Sequence, residues 1–309
     1  MGSSSGSRFW PKDVSSKDLP DRAASSEARG SYESEVNAYL QCLLRDYNER
    51  DTDAINRHLD TILGALSKDD IGALRLLFGG SIKKHTFIDG LSDVDVLITL
   101  DKSDLSEKSP KEILSYFADL LRQRLPNTDI KVGNLAVTLT YSDGVEIQVL
   151  PALQTKTGIK ISSKNGEEWS KVIKPDQFAT NLTDVNQKNN GAVVPTIKLF
   201  KALNSTLPEE TQLSGYHIES IAIEAFKEYE GRKTYKSMLM HLTEYAIEAV
   251  NKQIKDKTGQ SINVDDYLGD EGSLERRKVN AELYRLYIKL KIADEQTSIE
   301  KWKDILGEC

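Results

Sequence analysis

Sulfur ligands and long apolar runs are scarce in this chain of 309 residues. It has two cysteines, Cys42 and Cys309, and four histidines, which is too few for a disulfide framework and a poor supply for a structural zinc site. No apolar run approaches the roughly 18 residues of a membrane span, and the first residues lack the apolar core of a signal peptide. We therefore expect a reduced, cytoplasmic protein without a membrane partner.

Positive charge is also in deficit, because 41 Lys and Arg stand against 48 Asp and Glu, a formal net charge of −7. Broad nucleic-acid binding needs a surplus of Lys and Arg to neutralise phosphates, so we expect no stable nucleic-acid partner. A small basic pocket for a nucleotide is compatible with this balance. Hydrophobic residues make up 39% of the chain, which suffices for a buried core in one large domain or two modest ones.

The order of the elements predicts an α+β half followed by an all-α half. Residues 1–30 are rich in Ser, Gly and charge, and we expect a flexible or docked segment there. Apolar residues at helical spacing predict helices over 32–45 and from Asp51 or Thr52. The other predicted elements are strands at 73–78, 93–100, 135–141 and 145–150, a helix from Pro110 that ends before Pro126, and helices at 194–203, 216–229, 235–256, 273–292 and near Trp302.

Local signals support two of these elements. Ser109 and Glu112 form a capping box at the start of a helix. Asp143-Gly144 between two alternating runs predicts a hairpin turn. Residues 154–191 are polar and loop-like, with Trp169 and Phe178 as anchors.

A pair of carboxylates stands at the start of one predicted strand, in the run Ser92-Asp93-Val94-Asp95. Because strand side chains alternate between faces, Asp93 and Asp95 point to the same side. Such carboxylates repel each other without a counter-charge, and Mg²⁺ prefers oxygen ligands of this kind together with substrate phosphates. The simpler alternative is a solvated strand edge.

A glycine-serine turn comes earlier in the chain, with ten residues between its Ser81 and Ser92. In Gly79-Gly80-Ser81 the glycines let backbone N–H groups approach a phosphate, and the Ser81 hydroxyl adds a donor. Alone, each motif is an ordinary turn or strand edge. Together and in this order, they favour metal-assisted phosphoryl or nucleotidyl transfer.

The pattern GGS, ten residues, SDVDVLI resembles the signature of the polymerase-beta-like nucleotidyltransferases. It is most similar to the branch of the bacterial cyclic-oligonucleotide synthases of antiphage (CBASS) systems, cyclic GMP-AMP synthase and the oligoadenylate synthetases. The resemblance covers about residues 32–226 and includes a hairpin ending in VLPA, a lysine-bearing helix and the run SGYHIE. It implies a bilobed α+β fold with a central cleft, in which a nucleotidyltransferase core with a mixed sheet spans 31–190 and a helical, oligoadenylate-synthetase-like domain spans 191–309.

The resemblance also implies an activity. Two Mg²⁺ ions, or Mn²⁺ in their place, would align an acceptor hydroxyl against the α-phosphate of an NTP, with pyrophosphate as the leaving group. The substrates would be ATP, GTP or pyrimidine NTPs, and the product a cyclic di- or trinucleotide that activates a separate effector in antiphage defence. The alternatives are transfer to a macromolecule, such as a tRNA end or a protein, and a catalytically weak nucleotide-binding protein.

The third acidic residue of the family departs from its usual place. It commonly stands three residues before the proline of the VLPA-like motif, and Gln148 occupies that position here. A glutamine cannot act as a general base. Glu146 shares the strand face of Gln148, so we predict that Glu146 takes the third acidic role. If Glu146 is an exposed strand residue, the site works with two carboxylates or is impaired.

The resemblance further assigns the nucleotide contacts. Lys198 and Lys201, three residues apart on one helix, would bind the donor triphosphate; the alternative is two solvated lysines. Tyr216 would stack on the donor base, or it is a core tyrosine. Ser214 caps the following helix or reaches the phosphates. The full predicted nucleotide-binding set is Gly80, Ser81, Thr86, Ser92, Gln148, Lys198, Lys201, Ser214 and Tyr216, and the predicted metal and catalytic set is Asp93, Asp95 and Glu146.

Overall fold

The computed structural model describes residues 18–48, 52–66, 74–78, 94–100, 108–133, 135–162, 166–170, 172, 174–254 and 265–309. The helices are α1 (Asp18–Asp46), α2 (Thr52–Leu66), α3 (Pro110–Arg124), α4 (Pro175–Lys188), α5 (Val193–Ser205), α6 (Gly215–Lys227), α7 (Tyr235–Ala249), α8 (Leu274–Glu295) and α9 (Ile299–Leu306). The strands are β1 (Leu74–Phe78), β2 (Val94–Leu100), β3 (Asp129–Val132), β4 (Val137–Thr140), β5 (Glu146–Gln154) and β6 (Ile159–Ile161). Two short 3-10 helices span Glu209–Thr211 and Asp266–Leu268.

The six strands form one mixed sheet in the order β1-β2-β5-β4-β3, with β6 paired to the end of β5. β2 and β5 run parallel, and the other neighbours are antiparallel. One face of this sheet is covered by α2 and α3, whose apolar stripes pack on buried side chains of β2, β4 and β5. The predicted α+β class with a mixed sheet is confirmed.

The second hydrophobic core is helical and draws on both halves of the chain. Residues of α1 and α4 pack together with α5, α6, α7, α8 and Trp302 of α9. The predicted division at 190/191 stays a prediction, but the packing places α1 and α4 with the C-terminal helices. Among the described helices, none has the length and apolar character needed to cross a membrane.

Helix α1 begins at Asp18, whereas the apolar spacing predicted a start at Tyr32. The predicted boundary at 30/31 therefore falls inside a helix. Contacts explain why part of the polar segment is ordered: Arg29 donates to the Asp294 carboxylate at 2.7 Å and to its carbonyl at 2.8 Å. Tyr32 donates to the Ala293 carbonyl at 3.1 Å and accepts from the Trp302 indole at 2.8 Å.

The prediction of a loop over 154–191 was wrong in part. β6 and α4 both lie there, while Trp169 and Phe178 are packed as expected. Among the described side chains of α4, the buried apolar ones are Phe178 and Leu182, and so narrow an apolar stripe gives little sequence signal for a helix. Strand β3 was also missed, and α7 ends at Ala249 rather than near residue 256.

The two local signals were correct. At α3 the Ser109 hydroxyl accepts from the Glu112 N–H, and the Glu112 carboxylate accepts from the Ser109 N–H at 2.8 Å. This reciprocal bonding lowers the pKa of Glu112. At the hairpin, Tyr141 and Val145 close the turn, and Gly144 has φ +86, which favours glycine.

A disulfide joins Cys42 of α1 to Cys309, with Cα atoms 5.9 Å apart. The structure thus brings the two cysteines together, whereas the sequence predicted reduced thiols. The two cysteines are 267 positions apart, so nothing local in the sequence indicates that they meet.

A buried ion pair holds the segment before α8. Arg276, which is fully buried, donates from Nη1 to Asp265 Oδ2 at 2.7 Å. The same guanidinium donates to the carbonyls of Val250 and Lys252, both at 3.0 Å, and of Gly269 at 2.9 Å. Its planar set of donors thus joins the end of α7, the 3-10 helix Asp266–Leu268 and α8.

We expect Arg276→Ala to lower the free energy of unfolding by about 3–5 kcal/mol, because it leaves the Asp265 carboxylate buried without a counter-charge. Arg285→Ala on the same helix is the matched control: Arg285 pairs with Glu282 at the surface, where ion pairs contribute about 0–1 kcal/mol. Urea unfolding followed by circular dichroism measures both. Equal losses in the two variants would contradict the assignment.

Candidate active site

The acidic positions of the sheet meet through the parallel pairing of β2 and β5. In this register Asp95 lies opposite Gln148 and Val94 opposite Ile147. Glu146 stands two residues before Gln148 on β5. Since neighbouring strands lie about 4.8 Å apart, position 95 and Glu146 belong to one small region of the sheet.

Burial separates the two faces of β5. Ile147 and Val149 are fully buried against α2 and α3, whereas Glu146 and Gln148 on the opposite face are half-buried. Leu97 and Leu150 lie on that second face in a small apolar cluster. Because position 95 alternates with Val96 and is two residues from Leu97, it falls on the same face. The predicted sharing of a face by Glu146 and Gln148 holds, and Glu146 is not an exposed strand residue.

The turn that leads into Glu146 is held by α2. His58 Nε2 lies 2.7 Å from Asp143 Oδ2, and the His58 ring stacks on Tyr141 with centroids 3.7 Å apart. The His58 hydrogen bond lowers the pKa of Asp143. Thr140 on β4 donates to Glu146 Oε2 at 3.4 Å. These contacts fix where β5 begins and therefore where Glu146 stands.

Several predicted site residues fall outside the described residues: Gly80, Ser81, Thr86, Ser92 and Asp93. Asp95 is described through its backbone pairing. The assignment of all of these to metal or phosphate stays a prediction.

A second group of predicted residues surrounds the first turn of α6. Lys201 on α5 is 9% exposed and donates from Nζ to Glu219 Oε1 on α6 at 2.9 Å. The Nζ atom lies 3.3 Å from where a Cβ on Gly215 would be, so the absence of a side chain at Gly215 admits the ammonium group to this turn. A cation and a helix N-terminus together attract phosphate.

Lys198 is also buried, at 5% exposure, and donates to Asn48 Oδ1, just beyond α1. The alternative of two solvated lysines is therefore wrong. The contacts with Glu219 and Asn48 hold both ammonium groups against the protein rather than extended into water.

Tyr216 and Ser214 open α6. Tyr216 is 36% exposed, and its ring packs on Phe178 with centroids 4.6 Å apart, so one part of the ring is supported and another is open. It is not a core tyrosine. Ser214 is the N-cap, since its hydroxyl accepts from the His217 N–H at 3.3 Å. Capping was one of the two predicted roles of Ser214.

His217, which is fully buried, and Tyr267 form a hydrogen-bonded pair beneath this turn. The Tyr267 hydroxyl lies 2.8 Å from His217 Nδ1 and accepts from the Ser214 N–H at 3.1 Å. Burial lowers the pKa of His217 to about 4, so the ring is neutral near pH 7. Burial also raises the pKa of Tyr267.

Sequence reasoning missed Glu219, Asn48 and Tyr267. Glu219 had a signal, because it follows Tyr216 in the run that supplied the stacking residue and a buried lysine requires a counter-charge. Tyr267 contacts a residue 50 positions away and Asn48 one 150 positions away, so no local pattern indicates either contact.

Solved structures of other proteins share this fold. CdnC of Escherichia coli MS115-1 with ATP superposes with a TM-score of 0.68 at 16% identity and covers 89% of this chain and 97% of that chain. CdnG of Bradyrhizobium diazoefficiens in complex with GTP gives a TM-score of 0.70 at 13% identity, over 88% of this chain and 95% of that one. The fold is that of the polymerase-beta-like nucleotidyltransferases.

A family model matches part of the chain. Residues 35–186 match the SMODS domain, described as the Second Messenger Oligonucleotide or Dinucleotide Synthetase domain. The matched range includes β2 and β5 and therefore Asp95, Glu146 and Gln148. Over these residues the chain is similar to the bacterial cGAS/DncV-like nucleotidyltransferases.

Two curated relatives match over shorter stretches. The chain is 30% identical over 88 residues to a cyclic AMP-AMP-AMP synthase of Escherichia coli (strain MS 115-1), which is 27% of this chain and 27% of that relative. It is 35% identical over 83 residues to a CCA-adding enzyme of Sulfurisphaera tokodaii, which is 26% of this chain and 19% of that relative. The matches thus span about a quarter of these relatives' length or less.

We expect Lys201→Met to lower the free energy of unfolding by about 3–5 kcal/mol, because Glu219 then stays buried without its cation. The double variant Lys201→Met with Glu219→Gln should recover much of that loss, since no charge is left buried. Urea unfolding of the wild type, both single variants and the double variant gives the four free energies of a double-mutant cycle. Losses that simply add would show that the two side chains do not interact.

Proposed function

We propose that the chain is a Mg²⁺-dependent nucleotidyltransferase that joins NTPs into a cyclic di- or trinucleotide and releases pyrophosphate. The observation that carries the proposal is the SMODS match over 35–186, which contains the paired strands with Asp95 and Glu146. The likeness to CdnC and CdnG supports it, because it extends over 89% and 88% of this chain and so includes the helical half.

The acidic face of the sheet would receive the acceptor hydroxyl. Asp93, Asp95 and Glu146 would hold two Mg²⁺ ions, whose oxygen preference fits this set of carboxylates. Bound there, the ions would supply positive charge to the α-phosphate and the leaving pyrophosphate. Glu146, half-buried and oriented by Thr140, is the residue we assign to accept the proton of the attacking hydroxyl. Gln148 can hydrogen-bond a nucleotide but cannot take a proton.

The first turn of α6 would receive the donor nucleotide. Lys201 and Lys198 would bind the triphosphate, helped by the partial positive charge of the helix N-terminus. The Lys201 ammonium has three donors, so it would contact the triphosphate and keep its bond to Glu219. Tyr216, supported by Phe178, would stack on the base. Gly80, Ser81, Thr86 and Ser92 would complete the phosphate and sugar contacts, with Ser214 beside them.

The biological part of the proposal is a second-messenger pathway. The product would activate a separate effector in bacterial antiphage defence, in the cytoplasm where NTPs are present. The similarity of residues 35–186 to the SMODS domain supports this role.

A second candidate is transfer to a macromolecular acceptor, and the match to a CCA-adding enzyme favours it. The net charge of −7 weighs against a long RNA acceptor. A third candidate, a catalytically weak nucleotide-binding protein, follows from Gln148 in place of the usual acid. One assay separates these three functions.

We expect wild-type protein with the four radiolabelled NTPs and Mg²⁺ to form a phosphatase-resistant product, because a closed ring has no terminal phosphate. Asp95→Ala should abolish it, while Asp119→Ala on the exposed face of α3 should not. Mass spectrometry then gives the bases and ring size. Label that appears only when RNA or protein is added would favour the second candidate, and no product with wild type would favour the third.

We expect Glu146→Gln to reduce kcat by about 10²–10⁴-fold, the usual contribution of a positioned general base. Its KM for NTPs should change little, because the amide keeps the shape of the side chain. Glu228→Gln, at an exposed glutamate beyond α6, is the matched control. Activity of Glu146→Gln within about twofold of wild type would refute the role of Glu146 as the third carboxylate.

A further inference from the structure

Tyr267 contacts the first turn of α6 from a distant part of the chain. It lies in the 3-10 helix Asp266–Leu268, which begins directly after Asp265. Its hydroxyl contacts Ser214 and His217. The 3-10 helix is itself fixed, because Asp265 is paired with Arg276 and the carbonyl of Gly269 accepts from the same guanidinium.

The Tyr267 hydroxyl has partners on both sides. An N–H can only donate, so the Ser214 N–H donates to the hydroxyl oxygen at 3.1 Å. The hydroxyl can then donate its own hydrogen bond to His217 Nδ1 at 2.8 Å, since a neutral imidazole has one accepting nitrogen. His217 is 0% exposed, and its Nε2 has no hydrogen-bond partner among the described residues. Within that part of the chain, Tyr267 is therefore the polar contact that orients the ring.

The Tyr267 contact determines the backbone position of the residues proposed to hold the nucleotide. The N–H of Ser214 bonds to Tyr267, and the N–H of His217 bonds to the Ser214 hydroxyl. These two bonds fix the backbone on either side of Gly215 and Tyr216. Gly215 lies against Lys201 Nζ, so a shift of this turn would move both the stacking ring and the ammonium group.

We propose that Tyr267 is a positioning residue for the donor nucleotide, and that its hydroxyl holds the first turn of α6 in the conformation that binds the base and the triphosphate. This inference rests on the proposed function, because it assigns the donor nucleotide to Tyr216 and Lys201. Tyr267 acts through Ser214 and His217 and does not touch the nucleotide.

The test is Tyr267→Phe, which keeps the ring and removes the hydroxyl. ATP binding is measured by equilibrium dialysis in the presence of Mg²⁺, and KM and kcat are measured from initial rates over a range of NTP concentrations. The Kd for ATP and the KM should rise about fivefold to tenfold, the size expected for one lost hydrogen bond. The kcat should stay within about twofold, since the acidic face of the sheet is unchanged.

Tyr287→Phe is the matched control. It removes a hydrogen bond of the same length, 2.8 Å from the Tyr287 hydroxyl to Glu244, on the exposed surface of α7 and α8. This variant should bind ATP as wild type does. Thermal unfolding of both variants separates a general loss of stability, which would raise the Kd in proportion to unfolded protein, from a local effect at α6.

Each outcome decides the inference. An unchanged Kd in Tyr267→Phe, an equal change in Tyr287→Phe, or no ATP binding by wild type would overturn it. If wild type binds ATP but forms no product, the proposed synthase activity fails, and the ratio of the two Kd values still decides the role of Tyr267.

Discussion

The parallel pairing of β2 with β5 is the constraint on which the candidate site depends. It brings position 95 beside Gln148 and Glu146, which are about fifty residues further along the chain. Because a slip of one residue would turn every side chain of β5 to the other face, the apolar pattern of Ile147 and Val149 also fixes the face on which Glu146 and Gln148 lie. The same strand register therefore determines both the apolar core on one face of the sheet and the candidate site on the other face.

Buried cations organise the helical half in a comparable way. Lys201 joins α5 to α6, Arg276 joins α7 to α8, and Lys236 on α7 contacts Glu33 of α1 and Asp294 of α8. A buried charge is costly unless it is paired, so each of these side chains restricts the packing of its helices. At Lys201 the restriction coincides with the proposed triphosphate site, where a cation held at low exposure is already desolvated in part.

Local signals made some elements predictable and left others hidden. The capping box of α3 and the Asp143-Gly144 turn could be predicted because each depends on neighbours within a few residues. The same holds for the shared face of Glu146 and Gln148, which alternation alone requires. The early start of α1 could not be predicted, since Arg29 is ordered by Asp294, 265 residues away. Likewise, burial of Lys198 and Lys201 depends on partners that only the folded chain brings near.

The position of α1 has a consequence for synthesis on the ribosome. Tyr32 bonds to Trp302, 270 residues later, and at about 5–20 residues per second that partner emerges roughly 14–54 s after Tyr32. During this interval the apolar face of α1, with Val36, Leu40 and Leu43, lacks the helices that cover it in the native protein. The strands and α2 and α3 are translated in the meantime. Cotranslational folding would therefore begin with the strands, α2 and α3, and the apolar face of α1 would stay uncovered until the helices that pack on it have been translated.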